Sequence, residues 1–308
     1  MKRGWYLPFA LEALAAALVF WKFPGDGTLF GAMALPFTLL GKGLRQLSLS
    51  GAAGNLAAWA VYLALSLAPL GVLAWRAARK QASREDWLLA VLAGVVAWGL
   101  YCLVNPGSLP GIWGGTDVGA YLCAQVIWSA VLCCALFLAL RVRPERLLGW
   151  LLNGLGAVVV LNAWGVELGR LVLKMDQVRQ ANTLGSLALT NGILLLRYGM
   201  DLVNGSLGLW VIGAGRTLAD RLSRDAYAQD TVDAAQVLIR RGTVALKTAA
   251  AGTLGLNLIQ VLAGERLRDM ALNVDLPLLS MVLLLAGILL GRLLTRGKAL
   301  QDDSDLII

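Results

Sequence analysis

The sequence predicts an all-α integral membrane protein with about eight transmembrane helices and both termini in the cytoplasm. Three observations carry this. Of the 308 residues, 58% are hydrophobic and 15% charged, with a mean hydropathy of +0.69; a soluble domain carries about 25% charged residues. The apolar residues lie in long uncharged runs, Gln46 to Trp75, Trp87 to Thr116, Val118 to Leu140 and Leu147 to Val166. Each approaches or exceeds the ~20 residues that a helix needs to cross a bilayer. The Lys and Arg residues behind the net charge of +8 cluster beside these runs, as the positive-inside rule expects of cytoplasmic loops.

The first span runs from Trp5 to Phe23. It has the basic tip and apolar stretch of a signal peptide, but no small-x-small cleavage site precedes the next polar residues. It therefore reads as an uncleaved span, bracketed by Trp5 and Trp21 as interfacial anchors. "FPGDG" then turns the chain. Residues 28–40, "TLFGAMALPFTLL", contain Pro36 and read as a short re-entrant or interfacial segment. Lys42 and Arg45 follow, and would lie outside in an eight-span chain; a crossing by this segment would make nine spans.

The second span covers Ala52 to Trp75 and leads into Arg76, Arg79, Lys80 and Arg84. The third covers Trp87 to Val104, ahead of the uncharged turn-rich "NPGSLPGIWGGT". The fourth covers Val118 to Leu140, ahead of Arg141, Arg143 and Arg146. The fifth covers Leu147 to Leu168, followed by a mixed loop, "RLVLKMDQVRQANT". The sixth is placed at Tyr198 to Gly215, with an interfacial piece before it, and the seventh at Thr243 to Gly264. The eighth, Leu276 to Gly291, is short, with Arg292 placed to snorkel at its end. Two four-span halves result, 1–146 and 147–308. The second half carries a charged cytoplasmic helical connector at 216–242.

That connector holds "DRLSRDAYAQDTVDAAQVLIRR", Asp220 to Arg241. Its charges are Asp220, Arg221, Arg224, Asp225, Asp230, Asp233, Arg240 and Arg241. Asp230 reads as a helix N-cap, with Asp233 in the first turn to complement the helix dipole. Val232, Ala235 and Ile239 recur at helical spacing. Arg240 and Arg241 are placed at the headgroups, where anionic lipid attracts them. The segment reads either as a solvated connector or as a docking surface for a cytoplasmic partner.

Several chemistries are excluded. The chain has no histidine, so His-based triads and HExxH zinc sites are absent. "LGKGLRQ" lacks the upstream glycine and the Ser or Thr of a P-loop. Cys102, Cys123, Cys133 and Cys134 all fall inside predicted spans and read as small packing residues. No metal, cofactor or catalytic set is expected, and the chain does not read as an enzyme. No basic patch carries the interleaved aromatics that grip a nucleic-acid strand, so the bilayer is the expected surrounding.

The polar groups inside the spans are candidates for an intramembrane site. Glu12 lies about two turns into the first span, where an unpaired charge is costly. Arg197 and Asp201 are four apart and share a helix face. Glu167 and Arg170 are three apart and form a similar, interfacial pair. Asn204, Asn257 and Gln260, with Asn55, Gln125, Asn153 and Asn162, read as interhelical hydrogen-bonding residues or as part of a polar path. Asn257 and Gln260 share a face that should turn inward. "GVELG" at Gly165 to Gly169 and "GILLG" at Gly287 to Gly291 fit the small-xxx-small pattern of close helix approach.

The C-terminal half, Leu147 to Ile308, also carries a pattern. "GRTLADRLSRDAYAQDTVDAAQVLIRRGTVALK" joins two spans, and "GILLGRLLTRGKALQDDSDLII" ends the chain with a basic turn, an acidic run and a D-L-x-I terminus. This resembles a bacterial polytopic membrane-protein family of unknown function, with about four spans, often encoded beside small helix-turn-helix regulators. The resemblance implies a regulated bacterial membrane protein and carries no catalytic residues. The expected function is therefore that of a non-enzymatic inner-membrane protein that binds a partner, such as a cytoplasmic ATPase or regulator, in a sensing or regulatory role. The alternative is a permease subunit of an ATPase-coupled exporter or a small secondary transporter.

Overall fold

A computed structural model of the chain describes residues 3–24, 27–80, 86–108, 117–139, 144–180, 185–225, 228–268, 281–282 and 285–289. The fold is all-α, 92% helical, with no strand among the described residues. Nine α-helices are described: α1 (Leu7–Lys22), α2 (Leu29–Leu49), α3 (Ala52–Ala78), α4 (Trp87–Val104), α5 (Asp117–Ala139), α6 (Pro144–Val160), α7 (Glu167–Gln180), α8 (Leu187–Leu222) and α9 (Gln229–Ala263). They form two compact units, one of Thr28–Val142 and one of Met1–Gly27 with Arg143–Ile308. This differs from the division expected at residue 146, which kept the first helix with the N-terminal half.

Four helical stretches are long and apolar enough to cross a membrane: Ala52–Ala78, Trp87–Val104, Leu147–Gln180 and Gln229–Arg266. They coincide with the second, third, fifth and seventh expected spans. The first and sixth spans are helices too, and Tyr121–Phe137 of the fourth is a shorter apolar helix. Most of the eighth span lies outside the described residues, as do the acidic tail and the loops at 81–85 and 109–116. The surfaces suit lipid. On α3 only Ala58 and Ser66 are buried, while Leu56, Trp59, Leu67 and Trp75 are each more than half exposed. Such continuous apolar surface is a liability in water and an asset in a bilayer.

In the first of the two units to be complete in sequence, Thr28–Val142, α2 and α4 each pack against the other three helices. The expected short segment at 28–40 is instead part of one continuous 21-residue helix that runs past Pro36, Lys42 and Arg45. Two features hold it through the proline. The Thr28 hydroxyl caps the N-terminus by accepting from the Gly31 N–H at 3.0 Å. Beside the proline, Trp128 of α5 donates its indole N–H to the Met33 carbonyl at 2.8 Å, and its ring meets Phe37 edge-on. Neighbouring helices commonly supply such partners where proline interrupts a membrane helix. At the start of α4, Asp86 is buried and its carboxylate accepts from the Arg76 Nε at 3.2 Å.

In the other unit, α6 and α7 are continuous through a π-helical turn at Leu161–Val166. The expected mixed loop after residue 169 is helical: α7 buries Leu171 and Val178 and packs on α8 and α1. Its polar side is stitched locally, by Arg170 to both Glu167 oxygens at 2.8 Å and by Gln180 to Asp176 at 2.7 Å. α1 lies against the π turn, α6 and α7. The "GVELG" glycines make this approach possible. A Cβ on Gly165 would sit 2.9 Å from the Phe20 ring, and one on Gly169 would sit 2.7 Å from the Pro24 carbonyl oxygen.

α8 and α9 form a long antiparallel pair around buried Val211, Ala214, Leu218, Val232, Ala234, Ala235, Leu238 and Ala245. The expected sixth span and its preceding interfacial piece are one helix of 36 residues, and α9 has 35. At 1.5 Å per residue each is roughly 50 Å long, against a hydrocarbon core of ~30 Å. The connector expected at 216–242 is thus the two packed ends of these helices, joined at 223–228.

The glycine contact gives a direct check. Gly169→Ala pushes a methyl group against backbone and should cost about 1–3 kcal/mol. Gly154→Ala on α6 meets nothing within 4 Å and should be neutral or slightly stabilising. Thermal denaturation of the two variants in detergent measures the difference.

Candidate functional site

The densest polar construction lies at one end of the α1, α6, α8 and α9 bundle. Trp5, in the short turn before α1, donates its indole N–H to Asn153 Oδ1 on α6 at 3.1 Å. Arg216 on α8 donates Nη1 to the same oxygen at 2.7 Å, with its guanidinium 5.7 Å from the Trp5 ring centre. Trp5 in turn meets Tyr6 and Phe9 edge-on, at 4.7 and 5.0 Å between ring centres. On α9, Arg241 stacks over the Trp210 ring at 4.6 Å, donates to the Trp210 carbonyl at 3.1 Å and reaches the Tyr6 hydroxyl. Indole, phenol and guanidinium groups gathered beside apolar helical stretches match the composition of a membrane–water interface. A recess of about 290 Å³ opens beside Asn153, lined by Trp150, Arg216, Asp220 and Ser223.

Beyond this cluster stands the hairpin made by the end of α8 and the start of α9. Inside it, Leu218, Ala219, Thr231, Val232 and Ala235 are buried. The Thr231 hydroxyl donates to the Asp225 carbonyl at 2.7 Å and ties the turn to α9. Arg221 donates to the Asp230 carbonyl and lies 3.6 Å from its carboxylate. Asp233 accepts from Gln229 at 3.0 Å. The N-cap of α9 is Ala228, not Asp230, and it makes no side-chain cap. Asp230 sits in the first turn, where its charge still favours the helix dipole. Asp220, Arg224, Asp230, Asp233 and Arg240 are exposed, and Arg241 is half-buried against Trp210.

The intramembrane candidates are dispersed rather than gathered into one site. Glu12 is half-buried on α1, with no hydrogen bond or ion pair among the described residues. Arg197, Asp201 and Asn204 are half-buried along one face of α8. The Asn204 side-chain oxygen is buried and accepts no hydrogen bond among the described residues, and the same holds for Asn191. On α9, Gln260 is buried and Asn257 half-buried, while Leu254, Leu258, Val261 and Leu262 are exposed. Glu167 and Arg170 are paired, and Arg170 also donates Nε to the Gly27 carbonyl at 3.1 Å.

Sequence reasoning does not single out Arg216 or Trp210, and Asn153 reads as an interhelical hydrogen-bonding residue or as part of a polar path. The available signal was positional. Arg216 is the first charge after an apolar run, as Trp5 is the aromatic before one, and both mark the same interface level. No model of a known protein family, no curated protein and no solved structure matches the chain.

Asn153 is the joint of the cluster, because one oxygen serves two donors on two other elements. Asn153→Leu leaves the Trp5 N–H and the Arg216 guanidinium without that acceptor. The expected cost is about 1–3 kcal/mol, read as a lower thermal midpoint in detergent and as a red shift of tryptophan emission from a wetter Trp5.

Proposed function

We propose that this chain is a multi-pass bacterial inner-membrane protein that works by binding a cytoplasmic protein partner through the α8–α9 hairpin. In this reading the chain crosses the membrane eight times with both termini inside, and the hairpin stands on the cytoplasmic side. The supporting observation is the hairpin's construction: a buried apolar core packs it as a rigid extension of two long helices, and most of its charges face outward. A plain connector needs no such core. Rigid elements hold a binding surface more precisely than loops do, and charges of both signs allow orientation-specific docking. An ATPase or a regulator is the class of partner that such a surface fits.

A second reading, a permease subunit or small carrier, is favoured by one observation. The side-chain oxygens of Asn191 and Asn204 are buried in α8 without a hydrogen-bond partner among the described residues. Such groups are costly in apolar surroundings and suit a bound polar substrate. In that case the hairpin serves as the coupling element to an ATPase.

Photo-crosslinking in native cells separates these. Crosslinkers at Arg224 and at Asp233 should trap a discrete soluble protein, and the double reversal Arg224→Glu with Asp233→Lys should abolish the adduct without lowering the chain's abundance. A hairpin that yields no adduct, or one insensitive to the reversal, contradicts the proposal. A trapped ATPase moves the assignment to the permease reading.

A further inference from the structure

Arg216 and Asp220 lie four residues apart on α8, the spacing at which opposite charges ordinarily meet on a helix. Both line the recess beside Asn153, yet no ion pair joins them. Arg216 is drawn instead to Asn153 Oδ1 and the Trp5 ring. Among the described residues no carboxylate lies within ion-pair distance of Arg216, and no cation lies within that distance of Asp220. The amide of Asn153 is oriented by its two donors, Trp5 and Arg216, which both require oxygen at Oδ1. Its Nδ2 donors are then left without a partner among the described residues.

The recess therefore offers two separated poles. One is a guanidinium with an amide N–H group, suited to a phosphate. The other is the Asp220 carboxylate with the exposed ring of Trp150, suited to an ammonium group. Their neighbours place this pair beside lipid: Leu148 and Leu151 are exposed next to Trp150 on α6, and Trp5 and Arg216 belong to the aromatic and basic belt described above. We infer that the recess binds the zwitterionic phosphate–ammonium headgroup of a phospholipid, with its phosphate on Arg216 and Asn153 and its ammonium on Asp220 and Trp150. A headgroup that is anionic without an ammonium group satisfies the first pole and leaves Asp220 facing no cation. This inference concerns a lipid site and does not depend on the hairpin's partner.

The test uses the full chain, delipidated in detergent. Binding is followed by native mass spectrometry and thermal shift with phosphatidylethanolamine, phosphatidylglycerol and soluble phosphoethanolamine. Phosphatidylethanolamine should bind about tenfold or more tightly than phosphatidylglycerol, the scale of one charge-assisted hydrogen bond. Arg216→Gln should weaken both lipids about tenfold or more. Asp220→Asn should erase the preference between them while leaving binding of phosphatidylglycerol intact. Asp220 is exposed, so this second variant keeps the fold even if Arg216→Gln does not. A wild-type chain without preference, or an Asp220→Asn variant that retains it, overturns the inference. Soluble phosphoethanolamine binding as tightly as the lipid overturns the lipid assignment and gives the recess to a soluble zwitterion.

Discussion

The close approach of α8 to its neighbours is the constraint on which the larger unit depends. Lipid gives helices little hydrophobic reason to associate, so contact must come from packing of small residues and from hydrogen bonds. α8 buries Gly205, Gly208, Gly213, Ala214 and Ala219, and α9 buries Ala234, Ala235, Gly242, Ala245 and Ala249. A Cβ on Gly205 would collide with Ala163 in the π turn, so the same helix is also pressed against α6. Held this closely, α8 and α9 stay paired over their full length. Their length exceeds the ~30 Å hydrocarbon core, and their joined end carries the charges from Asp220 to Arg240.

The same constraint places several polar side chains on inward-facing sides of the helices. Gln260 and half-buried Asn257 occupy the inner side of α9, and Leu254, Leu258 and Leu262 the outer side. α8 buries ten residues, so protein rather than lipid meets much of it. In the other unit, the buried Asp86 with its Arg76 partner and the Trp128 bond to Met33 follow the same economy: polar groups are kept where a neighbouring helix can answer them.

Much of this was legible in the letters, and the gaps have physical causes. The uncharged runs at 52–75 and 87–104 needed only length and hydropathy, and both are helices with the bounds expected to within a few residues. Residues 28–40 read as a short segment because Pro36 breaks a helix in isolation; Thr28 and Trp128, the latter 92 positions away from Pro36 in sequence, offset that tendency. Residues 170–180 read as a loop because their charges suggest solvation, whereas the 216–242 connector reads as helical and is so, its helices being the ends of α8 and α9. The buried positions of the first, Leu171 and Val178, are a whole two turns apart and show a helical face only once the partner helix is known, while Val232 and Ala235 of the second already recur at helical spacing in the sequence. The Trp5–Asn153–Arg216 joint is drawn from three distant segments, and no local pattern announces it.

The central claim is that the hairpin of α8 and α9 leaves the bilayer as a packed helical extension. Cysteine accessibility tests it most directly. Asp233→Cys on the hairpin and Leu258→Cys on the exposed apolar face of α9 are treated in sealed inside-out vesicles with a charged, membrane-impermeant maleimide, and the labelling of the parent chain is subtracted. The account predicts rapid labelling at position 233 and protection at 258. Protection at 233 equal to that at 258 would place the hairpin within the membrane or on its far side, and contradict it.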